Sequence, residues 1–396
     1  MADLQELIRE LLETATRSDD PALLIETACA GLATLGVPLW RLSVGIQTID
    51  PTVRAVSYIW LRGQGLTRET TPYGPGPESE RPYLRSPIYA LVEASLTHRH
   101  WRLDVGEGCA ELPLLAELRA AGATSYVMHI VRFGGEIATA VPGVAIAMAT
   151  DRSGGFAATD LATFAAIMPA LGLASYRYSL ARVSSSVLGV YLGERTARRV
   201  LAGEVRRGTG RTIEAAILFA DLRGFTTLAG REPAERVVAW LDQHLDVIGA
   251  DVAACEGEVL KFLGDGLLAV FPTDDGMAPA EACRRALAAA ERALDATAAL
   301  NADREAKGEP TLGLDIVLHY GEVVYGNVGA TRRLDFTVIG PTVNEASRIE
   351  ALCGALGREL LLSAPFAERC GRPTVSLGRF ELRGCPGETE IRALAS

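Results

Sequence analysis

Apolar positions recur at helical spacing over residues 4–16, then fall into short runs over residues 42–49, 55–61, 126–133 and 144–149. This predicts an amphipathic helix followed by strands. Residues 114–121 read as a further helix, with Pro113 just before it and Gly122 just after. Residues 159–180 read as a long helix entered through Ser153-Gly154-Gly155. Helical spacing returns at Val187, Val190, Tyr191, Thr196, Val200 and Leu201, within residues 186–204, until Arg206-Arg207-Gly208-Thr209-Gly210 stops it. That stretch reads equally well as a coiled segment between two subunits or as a solvated surface helix.

The pattern changes in the last half of the chain. An apolar strand over residues 213–219 ends at Ala220-Asp221, and residues 232–255 follow as a helix with Val237, Leu241, Leu245, Ile248 and Val252 on one stripe. Residues 258–263 and 267–271 read as two strands joined by the tight turn Gly264-Asp265-Gly266. A helix over 279–301, a strand over 313–319, a loop over 320–333, a strand over 336–339 and a helix over 343–352 complete the series. A last strand over 375–382 runs into a loop at Gly384. This β-α-β-β-α-β order is the ferredoxin-like palm arrangement, so the expected fold class is α+β. The expected organisation is one domain over residues 1–180, a helical linker over 181–212 and a second domain over 213–396.

Composition narrows the setting. A chain of 396 residues, 48% of them hydrophobic, has room for two or three packed domains. A formal charge of −10 argues against a nucleic-acid partner, which normally needs a basic stripe. The seven cysteines are scattered singly, with no CxxC pair. With no signal peptide visible over residues 1–17, they read as reduced thiols in a cytoplasmic protein. The most membrane-like stretch, residues 161–175, is shorter than the roughly 20 residues a span needs and contains Pro169, so no membrane insertion is expected. Only two of the 39 basic residues are lysine, Lys261 and Lys307. In so arginine-rich a chain a lysine marks a place where an ammonium and a guanidinium are not equivalent.

Two carboxylates carry the first chemical signal. Asp221 ends one palm strand and Asp265 sits at the hairpin tip of the next two, so both can converge on one point. Acids of this kind, with nothing basic beside them, suit hard divalent cations. Taken alone, Asp265 reads as a turn residue.

The surrounding residues alter that balance. The segments Phe219-Ala220-Asp221-Leu222-Arg223-Gly224-Phe225-Thr226 and Glu258-Val259-Leu260-Lys261-Phe262-Leu263-Gly264-Asp265-Gly266 resemble the two metal-binding signatures of class III adenylyl and guanylyl cyclases. The stretch from Thr337-Val338-Ile339-Gly340-Pro341-Thr342-Val343 through Asn344-Glu345-Ala346-Ser347-Arg348 is similar to the third signature, and the three occur in the family's order.

The resemblance covers the C-terminal half only. It implies an adenylyl cyclase converting ATP to cyclic AMP, with two Mg²⁺ or Mn²⁺ ions per site held by Asp221, Asp265 and the carbonyl of Leu222. It further implies that Lys261 and Thr337 read the base, that Asn344 orients the ribose, and that Arg348 stabilises charge on the α-phosphate. Arg383, with Arg332 as the weaker candidate, would bind the triphosphate. The family builds composite active sites in a homodimer.

Thr337 departs from the commoner aspartate, and the Lys–Thr pair resembles the class IIIb subgroup, whose members are often stimulated by bicarbonate. Asp335, two positions out of register, reads as structural. The N-terminal element order and the phrase Gly154-Gly155-Phe156-Ala157-Ala158-Thr159-Asp160-Leu161-Ala162-Thr163-Phe164 resemble a GAF-type α/β domain, which suggests control by a small-molecule ligand or a partner. The alternatives are a guanylyl cyclase, against which Lys261 argues, and a catalytically silent module, which would typically lose one of the residues present here.

The remaining signals read as structural. His98-Arg99-His100 is taken as an exposed helix end, and His244 and His319 as packing or surface residues. The glycines of residues 320–329 are taken as tight turns.

Overall fold

The computed structural model describes residues 2–50, 53–73, 81–134, 141–206, 208–330 and 333–395. The chain divides into two compact units, Met1–Val187 and Leu188–Ser396.

The first unit opens with helices α1 (Ala2–Arg17) and α2 (Pro21–Thr34). The second of these is started by Asp20, whose side chain accepts from the Ala22 amide, with Pro21 in its first turn. Strands β1 (Arg41–Gln47), β2 (Val53–Leu61) and β3 (Gly65–Pro72) form a meander. Short helices α3 (Arg81–Leu84) and α4 (Pro87–Glu93) lead to β4 (His98–Arg102), α5 (Pro113–Ala120), β5 (Ser125–Arg132) and β6 (Gly143–Thr150). The last helix, α6, spans Ala158–Leu192.

The sheet order is β3-β2-β1-β6-β5-β4 and every pairing is antiparallel. Period-two alternation gives the sheet two buried faces. Val44, Ile46, Val144 and Ile146 pack under α1, α2 and α6, while Trp101, Tyr126, Met128 and Ala147 pack with Leu91 of α4 and Leu115 of α5. His98-Arg99-His100 therefore belongs to an edge strand and not to a helix end. His98 stacks on His129 across the pair, and His100 Nε2 lies 2.6 Å from Ser125 Oγ.

Helix α6 is long and apolar enough to cross a membrane by length and composition, yet half of its most apolar window is buried, with Phe164, Ile167, Leu171 and Ala174 in the core. It runs on through residues 181–192, and Gly193, in the left-handed region at φ +83°, separates it from α7 (Glu194–Leu201). The helical spacing over 186–204 is thus divided between two helices.

The second unit continues with β7 (Gly210–Arg223), α8 (Phe225–Ala229), α9 (Ala234–Ala254), β8 (Glu258–Leu263), β9 (Gly266–Pro272), α10 (Pro279–Ala306) and β10 (Gly313–Ala330). Setting aside the short α8, this is the β-α-β-β-α-β order. Then come β11 (Arg333–Ile339), α11 (Pro341–Glu350), α12 (Cys353–Leu356), β12 (Leu360–Ser363), α13 (Ala364–Ala367), β13 (Thr374–Glu381) and β14 (Glu388–Leu394). The eight-stranded sheet has the order β13-β14-β12-β10-β7-β9-β8, with β11 paired to β10. Alternate residues of β7 serve opposite cores. Ala216, Leu218, Ala220 and Leu222 pack with the residues of α10, whereas Ala215 and Ile217 pack with Ala346 and Ile349 of α11. The mixed architecture is α+β.

Residues 320–330 are not the expected loop. They prolong β10, which pairs with β7 from Gly313 to Gly326 and with β11 from Val324 to Ala330. The glycines there mark close approaches: a Cβ on Gly326 would meet the Thr209 carbonyl oxygen at 2.3 Å, and one on Gly321 would meet Thr342 Oγ1 at 2.9 Å.

Candidate active site

The end of β7 sets the first part of the site. Asp221 lies opposite Gly266 on β9 and opposite Asp315 on β10. The β8–β9 hairpin closes at Leu263 and Gly266 around a two-residue loop, Gly264-Asp265. Gly264 takes φ +70°, as the first loop position of a II′-type turn requires. Gly266 is obligatory for a second reason: a Cβ there would sit 2.8 Å from Asp221 Oδ1. The Asp221 carboxylate is therefore laid against the base of the turn that carries Asp265, which joins the two acids in space.

Their electrostatics reflect that proximity. Burial raises the pKa of Asp221, and the nearby carboxylates of Asp265 and Asp315 raise it further. Asp315 is also pushed up by burial, against the pull of the Arg223 guanidinium 2.7 Å away. Glu350, at the C-terminal end of α11, rises to about 7 through burial and the combined field of Asp221, Asp315 and Asp265.

Neither Asp221 nor Asp265 has an ion-pair partner among the described residues. Among those residues no three His, Cys, Asp or Glu side chains are grouped to hold a metal ion by themselves. A close, unneutralised carboxylate pair fits hard cations that take one or two protein carboxylates and fill their remaining positions with backbone, substrate or water oxygens. Leu222, whose side chain is buried in the core, offers only its backbone. Asp315 and Glu350 were not found by sequence reading. Glu350 lies two residues beyond Arg348, but nothing in the sequence says that it turns toward the acids.

The second part is the edge formed by β8 and β11. The β8 register slips between Val259 and Lys261, so Leu260 is an extra residue in that strand. Because Glu258 pairs with Val270 and Lys261 with Leu268, the bulge leaves Glu258 and Lys261 on one face of the sheet. Lys261 Nζ donates to Asp335 Oδ2 at 2.6 Å, and Thr337, nearly buried, lies two residues further along β11. Asp335, read from the sequence as structural, is thus the partner of Lys261. Lys261, Asp335 and Thr337 line one wall of a cleft of about 750 Å³.

The third part is α11. Pro341 occupies its first turn, and Thr342 Oγ1 donates to the Glu322 carbonyl of β10 at 2.6 Å. His319 Nε2 lies 3.3 Å from Glu345 Oε2, which ties the helix to β10 a second time. Asn344 and Arg348, one helical turn apart, are both exposed, and neither side chain has a hydrogen-bond partner among the described residues. Arg383 is likewise exposed, in the turn that follows β13 at Gly384, φ +81°. Arg332 lies outside the described residues.

Residues 209–384 match the sequence profile of the adenylate and guanylate cyclase catalytic domain. The chain is similar to adenylate cyclase 1 of Rhizobium meliloti, at 38% identity over 160 residues, 40% of this chain and 23% of that protein. It is also similar to an adenylate cyclase of Anabaena cylindrica, at 35% identity over 171 residues, 42% of this chain and 32% of that protein. The match thus spans less than a third of the length of either relative. A crystal structure of the adenylyl cyclase CyaB from P. aeruginosa is similar at 23% identity and a TM-score of 0.44, over 48% of this chain and 96% of that one.

Proposed function

We propose that this protein cyclises ATP to 3′,5′-cyclic AMP and pyrophosphate, a reading supported by the match of residues 209–384 to the adenylate and guanylate cyclase catalytic domain. The observation that carries the reading is the convergence of Asp221 and Asp265, from two separate motifs, at one end of the sheet, with neither carboxylate ion-paired among the described residues. In the reaction the ribose 3′-oxygen forms a bond to the α-phosphorus as the bond to the β-phosphate oxygen breaks, and the 3′-hydroxyl loses its proton. Positioning and electrostatics supply most of the acceleration in such a transfer.

In this reading Asp221, Asp265 and the Leu222 carbonyl hold two Mg²⁺ or Mn²⁺ ions. Such ions supply charge neutralisation at the reacting phosphate and acidify the attacking hydroxyl. Arg348 presents a planar, permanently charged fork to the α-phosphate oxygens, and Asn344 on the preceding turn orients the ribose. Arg383 binds the triphosphate.

Lys261 donates to adenine N1, where guanine carries a proton and would be refused. Thr337 accepts from the 6-amino group. Two chains pair as a homodimer, with each site taking its acids from one and its base-reading pair, Asn344 and Arg348 from the other. Residues 1–180 act as a GAF-like regulatory domain with a small-molecule ligand or a partner. The Lys261–Thr337 pair favours stimulation by bicarbonate.

The deciding experiment is to supply the purified chain with ATP or GTP and Mn²⁺ and follow the cyclic product. Cyclic AMP should form faster by at least about tenfold, the ratio that one mismatched hydrogen bond of about 1.4 kcal/mol sets. Equal or faster formation of cyclic GMP overturns the adenine assignment, and no cyclic product from either overturns the cyclase reading.

A further inference from the structure

Glu258 is a carboxylate buried to 8% exposure on β8, three residues before Lys261 and on the same face because of the bulge at Leu260. A buried carboxylate is costly unless its oxygens are satisfied, and here both are. The Thr196 amide of α7 donates to Oε1 at 2.8 Å, and the Tyr325 hydroxyl of β10 donates to Oε2 at 2.9 Å. Thr196 Oγ1 lies 3.1 Å from that same hydroxyl, so a closed polar triangle, fully enclosed at Thr196 and Tyr325, joins α7, β8 and β10. The start of α7 is shaped to fit it. Gly193 holds φ +83°, and a Cβ there would meet Glu258 Oε1 at 2.7 Å.

The same helix also reaches the other base-reading strand. The Arg199 guanidinium lies 5.1 Å from the ring centre of Phe336, the residue immediately before Thr337, and 4.8 Å from that of Tyr325. The two rings meet edge to face at 4.9 Å. Glu204 holds Arg199 there through bonds of 2.9 and 2.6 Å, and its carbonyl accepts from Asn327 Nδ2 of β10 at 2.7 Å. A guanidinium over aromatic faces is attracted by their quadrupoles, and more so when removed from water. Leu192, Gly193 and Arg195 line the same cleft of about 750 Å³ as Lys261, Asp335 and Thr337.

We propose that α7 is a positioning element for the base-reading pair, holding β8 through Thr196 and Glu258 and β11 through Arg199 and Phe336. How α7 is seated then sets the spacing of Lys261 and Thr337, and with it the choice of purine. None of Thr196, Arg199, Glu258 or Tyr325 touches nucleotide in this account; they act through their neighbours. The inference rests on the base-reading roles of Lys261 and Thr337 proposed above.

The test compares the full-length protein with Glu258→Gln and Arg199→Ala, measuring kcat and KM for ATP and for GTP and the Mn²⁺ concentration at half-maximal rate. Each variant should lower the ATP-over-GTP ratio of kcat/KM by about fivefold, equivalent to about 1 kcal/mol. The Mn²⁺ dependence, set at Asp221 and Asp265, should stay as it is. Tyr325→Phe, which removes a single hydroxyl, guards against misfolding in the other two and should shift the ratio the same way. Variants that lose rate equally on both nucleotides, or that keep the ratio, overturn the inference while the cyclase reading stands. A wild-type protein that cyclises neither nucleotide overturns both.

Discussion

Asp221 on β7 and Asp315 on β10 face each other directly across an antiparallel strand pair, two carboxylates where like charges are unfavourable. Asp315 is offset by Arg223 at 2.7 Å, whereas Asp221 has no such partner among the described residues and is crowded by Asp265 as well. The fold therefore holds Asp221 at a cost that a bound divalent cation would relieve.

Function and stability should accordingly part company at this position. Asp221→Asn and Asp265→Asn are each expected to abolish cyclic-nucleotide formation. In EDTA, Asp221→Asn should melt higher than wild type, since a repelling charge has gone. Adding Mn²⁺ should raise the wild-type midpoint more than the variant's, by the binding linkage of a native-state ligand. A scanning-calorimetry comparison with and without Mn²⁺ checks it. A variant of either residue that retains near-normal turnover removes that residue from the mechanism.

Glu350 gives a pH dependence with a definite sign. Its carboxyl is raised from the ordinary 4.5 to about 7 in the folded protein, so the fold favours its protonated form. Its contribution to stability is complete below about pH 4.5 and is lost progressively as pH rises through 7. In metal-free buffer, Glu350→Gln should match wild type near pH 4.5 and exceed it above pH 7. Denaturant midpoints at the two pH values provide the measurement, and a difference of the opposite sign would show that Glu350 is not held neutral.

Base selectivity should follow hydrogen-bond polarity at Lys261 and Thr337. The double variant Lys261→Glu, Thr337→Cys reverses or removes both polarities and should erode the preference for ATP over GTP. Asp335→Asn, by contrast, keeps the shape but loosens the 2.6 Å pairing with Lys261, and should raise KM for ATP more than it lowers kcat. Steady-state kinetics with both nucleotides checks each outcome.

Composite sites predict complementation. Asp221→Ala and Arg348→Ala homodimers should each be nearly inactive. In a mixture that exchanges subunits, a mixed dimer has one site with both defects and one with neither. Activity should return to at most about a quarter of wild type, since random pairing makes about half the dimers mixed and each has one intact site of two. No recovery, with exchange demonstrated by a labelled subunit, would place all the catalytic residues within one chain.

The sequence by itself determined what short spacing can carry. The apolar run along residues 213–219 defined the strand that carries Asp221, and Gly264-Asp265 between two apolar runs defined the hairpin. The four-residue interval from Asn344 to Arg348 put both on one face of α11. These features depend on neighbours along the chain, so they can be read without knowing the fold.

Only the tertiary structure decided the rest. Strand register set Asp315 beside Asp221, and burial and field together set the charge state of Glu350. The bulge at Leu260 set Lys261 and Glu258 on one face, and Asp335 became the partner of that lysine. Tyr320 to Ala330, glycine-rich and read as a loop, became a strand because β7 and β11 lie alongside to receive its hydrogen bonds. Each of these outcomes depends on which distant segment packs alongside and how much water it displaces, and no local pattern in the chain encodes that.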